Sequence, residues 1–305
     1  MSFSGDVKNE LCRLPVSRGC CARAEAYGAL LYGHTFSARE IRIVTSRSAF
    51  ADRLQRIFRR AFGFGFDDCS APAGAGRMHS LIISDRDKIR RVFAAFGYEA
   101  DNTLKLHVNL GVLEEPCCRA GFLRGAFLAG GSVTDPAKRY HLELATGHGS
   151  VSRELYSLLL EMGFSPRDSR RSGSYVTYFK QSEAIEDLLT TMGAPLAAMQ
   201  LMQEKMEKDV RNVVNRRVNC DSANADKIVS AAGEQLAAIR RVEQGRGLDS
   251  LPEPLQEAAL LRIANPEASL SELAMLADPP VSKSCMSHRL RKLTALGERG
   301  EEEEA

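Results

Sequence analysis

A repeat constrains the fold of this sequence more than any other feature. Shifting the chain by 97 positions, which is 117 minus 20, aligns the adjacent cysteines Cys20 and Cys21 with Cys117 and Cys118. Further identities in the same register are Gly28 on Gly125, Ala29 on Ala126, Leu31 on Leu128 and Gly33 on Gly130. Similarity at a fixed period predicts two copies of one structural unit, here at about residues 20–97 and 117–193.

Each copy is centred on a helix with two glycines. Gly28 and Gly33 are separated by alanine and leucine, and the same is true in outline of Gly125 and Gly130. A glycine inside a helix costs about 1 kcal/mol relative to alanine, and close approach of two backbones is the usual reason for it. The pattern therefore predicts that the two helices pack on each other. Alternatively, Gly130 and Gly131 serve only to end a helix.

Hydrophobic periodicity predicts the same order of helices and strands in both copies, after a short amphipathic helix at residues 2–15. The first copy is predicted as helix 22–33, strand 41–45, helix 49–62, strands 64–69 and 80–84 around a loop at 71–76, and helix 85–96. The second is predicted as helix 119–130, strand 140–145, helix 150–162, strands 164–170 and 174–179, and helix 183–192. The fold class predicted for residues 1–195 is α+β, with two mixed halves.

The rest of the chain is predicted to be helical. Residues 196–218 have the pattern of a charged linker helix, and the Asn, Asp and Ser residues at 219–224 predict a capped junction. The domain at 219–297 is predicted to contain helices 223–243, 254–264, 269–277 and 282–296. The acidic tail at 298–305 is predicted to be solvated and disordered.

Two of these helices match a helix-turn-helix. Ser269 and Glu272 have the spacing of a capping box, and Asp278 to Val281 contains two prolines that predict a short, rigid turn. The helix that follows is basic, and in a helix-turn-helix this second helix enters the major groove of DNA. Double-stranded DNA is therefore the predicted partner. A plain three-helix bundle is the alternative.

Helical spacing divides the predicted recognition helix into two faces. The residues expected to point inward are Met286, Leu290 and Leu293. The residues expected to face solvent or DNA are Lys283, Ser284, Ser287, His288 and Arg291. Lys283, Ser284 and Ser287 are placed for base edges or phosphates, and Arg289, Arg291 and Lys292 suit phosphates.

Two stretches resemble known families. Residues 123–131, LRGAFLAGG, resemble the helix motif of LAGLIDADG homing endonucleases, and residues 26–34, AYGALLYGH, resemble a second, weaker copy. The longer stretch GAFLAGGSVTDPAKRYHLE, together with the helix-turn-helix, resembles the WhiA family of bacterial DNA-binding proteins. The first resemblance implies a saddle-shaped antiparallel sheet in each half. The second implies a DNA-binding half similar to sigma-factor region 4, and transcriptional regulation connected to cell division, chromosome segregation or sporulation.

The resemblance to homing endonucleases raises the question of DNA cleavage. Two-metal nucleases need carboxylates at the scissile phosphate, and in that family the carboxylate precedes the final glycine of the motif. Gly130 occupies this position in one copy and Gly33 in the other. Asp135 lies nearby, but an Asp before a Pro is typical of a turn. We predict no catalytic residues and no nuclease activity; a nuclease or nickase of the homing-endonuclease type is the alternative.

Arginines in the first domain predict a possible second DNA contact. Arg53, Arg56 and Arg60 recur at helical spacing, and further arginines flank the predicted strands of both copies. The functional interpretation is a protein surface that binds successive phosphates of the DNA backbone. The alternative is that these arginines are ordinary solvent-exposed side chains. A third hypothesis is a module that binds another regulatory protein and assists DNA binding.

The eight cysteines show no spacing typical of zinc ligands, so they are interpreted as small buried side chains, with no metal site, cofactor or disulfide. An adventitious redox or metal site is the alternative. The sequence contains no apolar run of about 18 residues and no export leader, which predicts a cytoplasmic protein that does not bind membranes. With DNA as the predicted partner, the protein is expected to be associated with the nucleoid. The net charge of +2 is uninformative about partners.

Overall fold

The computed structural model describes residues 2–70, 78–100 and 105–302. The chain divides into two compact units, residues 1–209 and 210–305. None of the described helices is long and apolar enough to cross a membrane. The predicted loop at residues 71–76 lies outside the described residues.

The first unit contains the two repeats in the predicted order. A preceding helix, α1 (Phe3–Arg13), leads into the first repeat: α2 (Gly19–Leu31), β1 (Thr35–Phe36), β2 (Ile41–Thr45), α3 (Ser48–Phe62), β3 (Asp68–Ser70), β4 (His79–Ile83) and α4 (Arg86–Ala95). The second repeat consists of α5 (Pro116–Gly130), β5 (Gly131–Val133), β6 (Leu142–Thr146), α6 (Gly149–Glu161), β7 (Arg167–Arg171), β8 (Ser174–Phe179) and α7 (Ser182–Met192).

Each repeat builds one four-stranded antiparallel sheet with the same topology. The strand orders are β1-β2-β4-β3 and β5-β6-β8-β7. Residues alternate between the two faces, so Ile41 and Ile43 of β2 are buried whereas Arg42 between them is exposed. The predicted duplicated α+β domain is confirmed. Strands β1 and β5 were not predicted, because two or three residues are too few to show a period.

The helices α2 and α5 pack at the glycines that the repeat aligns. A Cβ atom on Gly28 would lie 2.1 Å from the carbonyl oxygen of Phe122 on the other helix. A Cβ atom on Gly125 would lie 2.0 Å from the carbonyl oxygen of Glu25. The two backbones are therefore in direct contact, which confirms the predicted packing. The backbone at Gly131, with φ −97°, is not the left-handed conformation of a glycine helix cap.

One long helix, α8 (Pro195–Gly245), replaces the predicted linker helix and capped junction. Its first turns bury Ala197, Ala198 and Leu201 in the core of the first unit, so the division into units falls at residue 209 rather than at the predicted 195. The predicted break at 219–224 is wrong. Asn, Asp and Ser cost little at exposed helix positions, and all residues from 219 to 224 are exposed.

The second unit adds three helices to α8: α9 (Glu253–Ala264), α10 (Leu270–Leu276) and α11 (Lys283–Glu302). Their apolar residues form a core separate from that of the first unit. Gly297 of α11 packs against α8, because a Cβ at this position would lie 2.6 Å from the carbonyl oxygen of Ala238. The expectation of a disordered tail from residue 298 is corrected, since α11 continues to Glu302.

Candidate nucleic-acid interface

Hydrogen bonds fix the start of α10, the turn between α10 and α11, and the start of α11. Ser269 and Glu272 form the predicted capping box, with each side chain accepting the other's backbone N–H. The Ser269 backbone N–H and hydroxyl hold the pKa of Glu272 below its ordinary value. After α10, Val281 donates its N–H to the carbonyl oxygen of Ala274 at 2.9 Å. The Ser282 hydroxyl then accepts the N–H of Cys285 at 3.2 Å and caps α11.

The residues on the inward face of α11 are the three that were predicted. Met286, Leu290 and Leu293 are fully buried in the core of the second unit, together with Leu273 and Ala274 of α10. These contacts hold α11 against α10 across the turn. The arrangement is therefore a helix-turn-helix with a packed core.

The outward face of α11 is polar and basic. Lys283, Ser284, His288, Arg291 and Lys292 are exposed, and Ser287 is half-buried. Within the part of the chain that the structure describes, Lys283, Arg291 and Lys292 have no ion-pair partner. Three exposed cations of α11 are thus available to an anionic ligand.

Arg289 does not belong to this available set. Its Nη1 atom donates to Oε2 of Glu257 on α9 at 2.7 Å, and the side chain is largely buried. The other carboxylate oxygen of Glu257 accepts the backbone N–H of Asp278 at 2.8 Å. The expected phosphate contact of Arg289 is corrected: its guanidinium is engaged in joining α11 to α9 and to the turn.

The arginines of α3 also differ from the expectation. Arg53 is fully buried and forms two hydrogen bonds to the carboxylate of Glu25 on α2, the longer at 2.9 Å from Nη2 to Oε2. Its Nη1 atom donates to the carbonyl oxygens of Cys12 and Leu14. A phosphate cannot reach this guanidinium, so the predicted DNA contact of Arg53 is wrong. Arg124 of α5 binds the same carboxylate of Glu25 at 3.1 Å.

Arg56 and Arg60 remain at the surface. Arg56 donates from Nη2 to the carbonyl oxygen of Cys12 at 3.1 Å, and Arg60 from Nη2 to that of Ser17 at 2.8 Å. One donor atom of Arg56 therefore binds the last turn of α1, and one of Arg60 binds the segment that follows it. The exposed arginines of β7 lie at a sheet edge, where Arg170 stacks over the ring of Tyr175 at 5.2 Å.

The ends of the motif helices leave no room for a catalytic carboxylate. A Cβ at Gly130 would lie 2.5 Å from the carbonyl oxygen of Ala145 and 3.1 Å from that of Tyr32. A Cβ at Gly33 would lie 2.8 Å from the carbonyl oxygen of Ala29. Asp135 lies in a turn, and its Oδ1 atom accepts the N–H of Ala137 at 2.9 Å. Neither Gly33 nor Gly130 could therefore be replaced by a metal-binding carboxylate residue without movement of the surrounding backbone.

The cysteines of the two repeats come together. Among the described residues, one group of three or more cysteine, histidine or carboxylate side chains is close enough to share a metal ion: Cys20, Cys21, Cys117 and Cys118. Cys20 is exposed and Cys118 is buried. The interpretation of these cysteines as separate buried side chains is therefore incomplete. The sequence signal for this grouping was the repeat. It aligns the two cysteine pairs at the starts of two helices that were predicted to pack on each other.

Comparison with known proteins identifies relatives of both units. A family described as "WhiA LAGLIDADG-like domain" matches residues 119–211, and one described as "WhiA C-terminal HTH domain" matches residues 214–297. A "Probable cell division protein WhiA" from Ruminiclostridium cellulolyticum is 40% identical over 307 residues, covering 98% of each chain. Another protein with this name, from Alkaliphilus metalliredigens, is 34% identical over 311 residues, again covering 98% of each.

A solved structure has the same fold. It is titled "Crystal structure of full-length DUF199/WhiA from Thermatoga maritima" and superposes with a TM-score of 0.60 at 23% identity. The match covers 98% of this chain and 99% of that one. The likeness therefore extends over both units.

Proposed function

The chain belongs to the WhiA family, and from that premise we propose that it is a sequence-specific DNA-binding regulator without nuclease activity, acting in cell division, chromosome segregation or sporulation. Its helix-turn-helix unit and the relatives named as cell division proteins support this role. The observation that carries the proposal is that α11 has three exposed cations, Lys283, Arg291 and Lys292, with no ion-pair partner among the described residues. In the cell, such a protein is expected at the nucleoid.

The first turns of α11 are proposed to read bases. In a helix-turn-helix the N-terminal residues of the second helix contact base edges in the major groove. Lys283, Ser284 and Ser287 lie in these turns and are at least partly exposed. A lysine can donate to guanine O6 or N7, and a serine can pair with several bases. Lys283 is therefore the proposed main source of base preference.

The next residues are proposed to bind phosphates. Arg291 and Lys292 lie further along α11 and are exposed, as is His288. Each neutralised phosphate releases counterions, so contacts of this kind raise affinity without selecting sequence. Arg56 and Arg60 of α3 are proposed as secondary contacts. Both are exposed, and each donates one hydrogen bond to a backbone carbonyl oxygen, which leaves other N–H groups of the guanidinium for a phosphate.

The absence of cleavage is proposed from the motif ends. A two-metal nuclease needs carboxylates that hold the metals against the attacking and leaving oxygens. Gly130 supplies none, and the carbonyl oxygen of Ala145 occupies the space that a side chain there would need. Asp135 uses a carboxylate oxygen in its own turn. A nuclease active site at this position would therefore lack carboxylate ligands for its metal ions.

A second role, binding another regulatory protein, is favoured by one observation. Helix α8 exposes large apolar side chains: Met199, Met202, Met206, Val210, Val213, Val214 and Val218. Several of them recur three or four residues apart, which places them along one side of the helix. Exposed apolar patches of this kind mark interaction surfaces in soluble proteins.

Sequence specificity is tested by selecting fragments of genomic DNA with the purified full-length protein. We expect the wild-type protein to enrich a shared sequence motif, and the variant Lys283→Ala/Ser287→Ala to lose that enrichment. Arg86→Ala on α4 is the matched control, since Arg86 is exposed and lies far from α11 in sequence. Enrichment by the α11 variant equal to that of the control would overturn the assignment.

A further inference from the structure

The four grouped cysteines lie in the first turns of the two central helices. Cys20 and Cys21 begin α2, and Cys117 and Cys118 begin α5. The helix contact brings these turns together, since a Cβ on Gly121 would lie 3.0 Å from the carbonyl oxygen of Cys21. The four sulfur atoms all lie within 4.8 Å of one another, and the Sγ atoms of Cys20 and Cys21 are 3.9 Å apart.

This spacing matches a tetrahedral thiolate site. A zinc–sulfur bond is about 2.3 Å, so the sulfurs of a regular tetrahedron around zinc are about 3.8 Å apart. The separation between Cys20 and Cys21 already has that value, and the others need to contract by about 1 Å at most to reach it. A disulfide requires a sulfur separation of about 2.05 Å, and all four cysteines are free thiols in the structure.

We propose that Cys20, Cys21, Cys117 and Cys118 bind one Zn²⁺ ion. Four thiolates fill the coordination shell of zinc, which is the arrangement of a structural site rather than a catalytic one. Each repeat supplies two ligands, so the metal links the first turns of α2 and α5. Its binding free energy stabilises the packing of the two repeats, because the site exists only when both helices are in place.

The surroundings suit the charge of such a site. Four thiolates and one Zn²⁺ carry a net charge of about −2, since each thiolate contributes one negative charge. The Nη1 atom of Arg18 lies 3.9 Å from the sulfur of Cys117. Both helices also direct the positive ends of their dipoles toward the cluster. These positive groups stabilise the negative charge of bound thiolates, and they act against the burial that raises the pKa of Cys21 and Cys118.

The spacing favours a single ion over an iron–sulfur cluster. Thiolates are soft ligands that select zinc and iron–sulfur clusters among the common biological metals. In a four-iron cluster each cysteine binds a different iron, which sets the sulfurs farther apart than a single ion does. Sulfurs that all lie within 4.8 Å of one another suit the single ion better.

The test is metal analysis of the full-length protein, purified in reducing buffer without a metal-binding tag. We expect stoichiometric zinc by elemental mass spectrometry in the wild-type protein. Replacement by Co²⁺ should give the visible absorption bands of a tetrahedral cobalt–thiolate site. Loss of bound metal is expected in Cys20→Ser/Cys117→Ser, whereas Cys69→Ser/Cys220→Ser, which changes two exposed cysteines outside the cluster, should keep it.

Two further measurements separate loss of metal from loss of fold. Far-ultraviolet circular dichroism of each variant reports folding, and Cys20→His, which retains a zinc ligand, should recover bound metal. Adding Zn²⁺ should raise the melting temperature of the wild-type protein and leave that of Cys20→Ser/Cys117→Ser unchanged. The proposal is overturned if the reduced wild-type protein takes up no zinc or cobalt, if the folded cluster variant binds as much as the control, or if the four cysteines form disulfides instead.

Discussion

Arg289 on α11 and Glu257 on α9 form an ion pair, with 2.7 Å between Nη1 and Oε2. Because Glu257 also accepts the backbone N–H of Asp278, one carboxylate fixes both the helix and the turn before it. The pair therefore orients the exposed basic residues of α11, which are the proposed DNA contacts.

We predict that Glu257→Ala destabilises the second unit by about 1–2 kcal/mol, since the pair is only partly buried but a backbone donor also loses its acceptor. Chemical denaturation measures the change, and Glu253→Ala at the exposed start of α9 is the control. Arg289→Ala should lower stability similarly. If Arg289→Ala weakened DNA binding while stability stayed constant, Arg289 would instead be a phosphate contact.

Arg53 is predicted to support the first unit rather than bind DNA. Removing one partner of a buried ion pair costs about 3–5 kcal/mol, and the lower end is expected because Arg124 still pairs with Glu25. Arg53→Ala should therefore lower the free energy of unfolding by about 3 kcal/mol. Arg60→Ala, at an exposed position on the same helix, should change it by less than about 1 kcal/mol. Equal stability of the two variants would contradict the assignment.

The glycine contact between the central helices gives a matched pair of substitutions. Gly125→Ala places a methyl group against the carbonyl oxygen of Glu25, and we expect a loss of about 1–3 kcal/mol from overpacking. Gly233→Ala, in an open stretch of α8 with no atom near its Cβ position, should gain about 0.5–1 kcal/mol from helix propensity. Thermal unfolding reports both. A stabilising Gly125→Ala would show that the helices do not pack as described.

The nuclease alternative is tested directly with purified protein and supercoiled plasmid in Mg²⁺ or Mn²⁺. We expect the plasmid to remain uncut, because Gly33 and Gly130 cannot bind a metal. The sample should be shown to bind DNA under the same conditions. Metal-dependent cleavage that disappears in Asp135→Asn would establish a nuclease that uses the nearby carboxylate.

Much of the fold could be predicted because it repeats at a fixed period. The alignment of Gly28 with Gly125 predicted both the duplication and the helix contact, and each was confirmed. The break predicted at 219–224 was wrong because capping residues such as Asn219 and Asp221 also occur inside exposed helices. Local sequence preference does not distinguish the two situations.

The roles of individual arginines were harder to predict than the fold. Arg53 has the same spacing as Arg56 and Arg60, but its partner Glu25 lies 28 residues earlier in the chain. Arg289 is similarly paired with a residue 32 positions away. Such long-range pairs depend on tertiary packing, so periodicity alone assigns these side chains to the wrong environment.

DNA recognition by α11 is tested most directly by titrating a labelled cognate site at several salt concentrations. Two full-length variants are compared with the wild-type protein: Lys283→Ala/Arg291→Ala on α11, and Arg56→Ala/Arg60→Ala on α3. Both pairs remove two exposed arginine or lysine residues, so the change in total charge is the same.

The α11 variant should bind more weakly, with the salt dependence reduced by about 1 for each lost phosphate contact. A lost base contact should cost about 1–3 kcal/mol on the cognate site and relax preference at one position. The α3 variant should change affinity less, because a secondary contact adds to binding that α11 already directs. Normal binding by the α11 variant together with loss of binding by the α3 variant would contradict the account and assign DNA reading to the first unit.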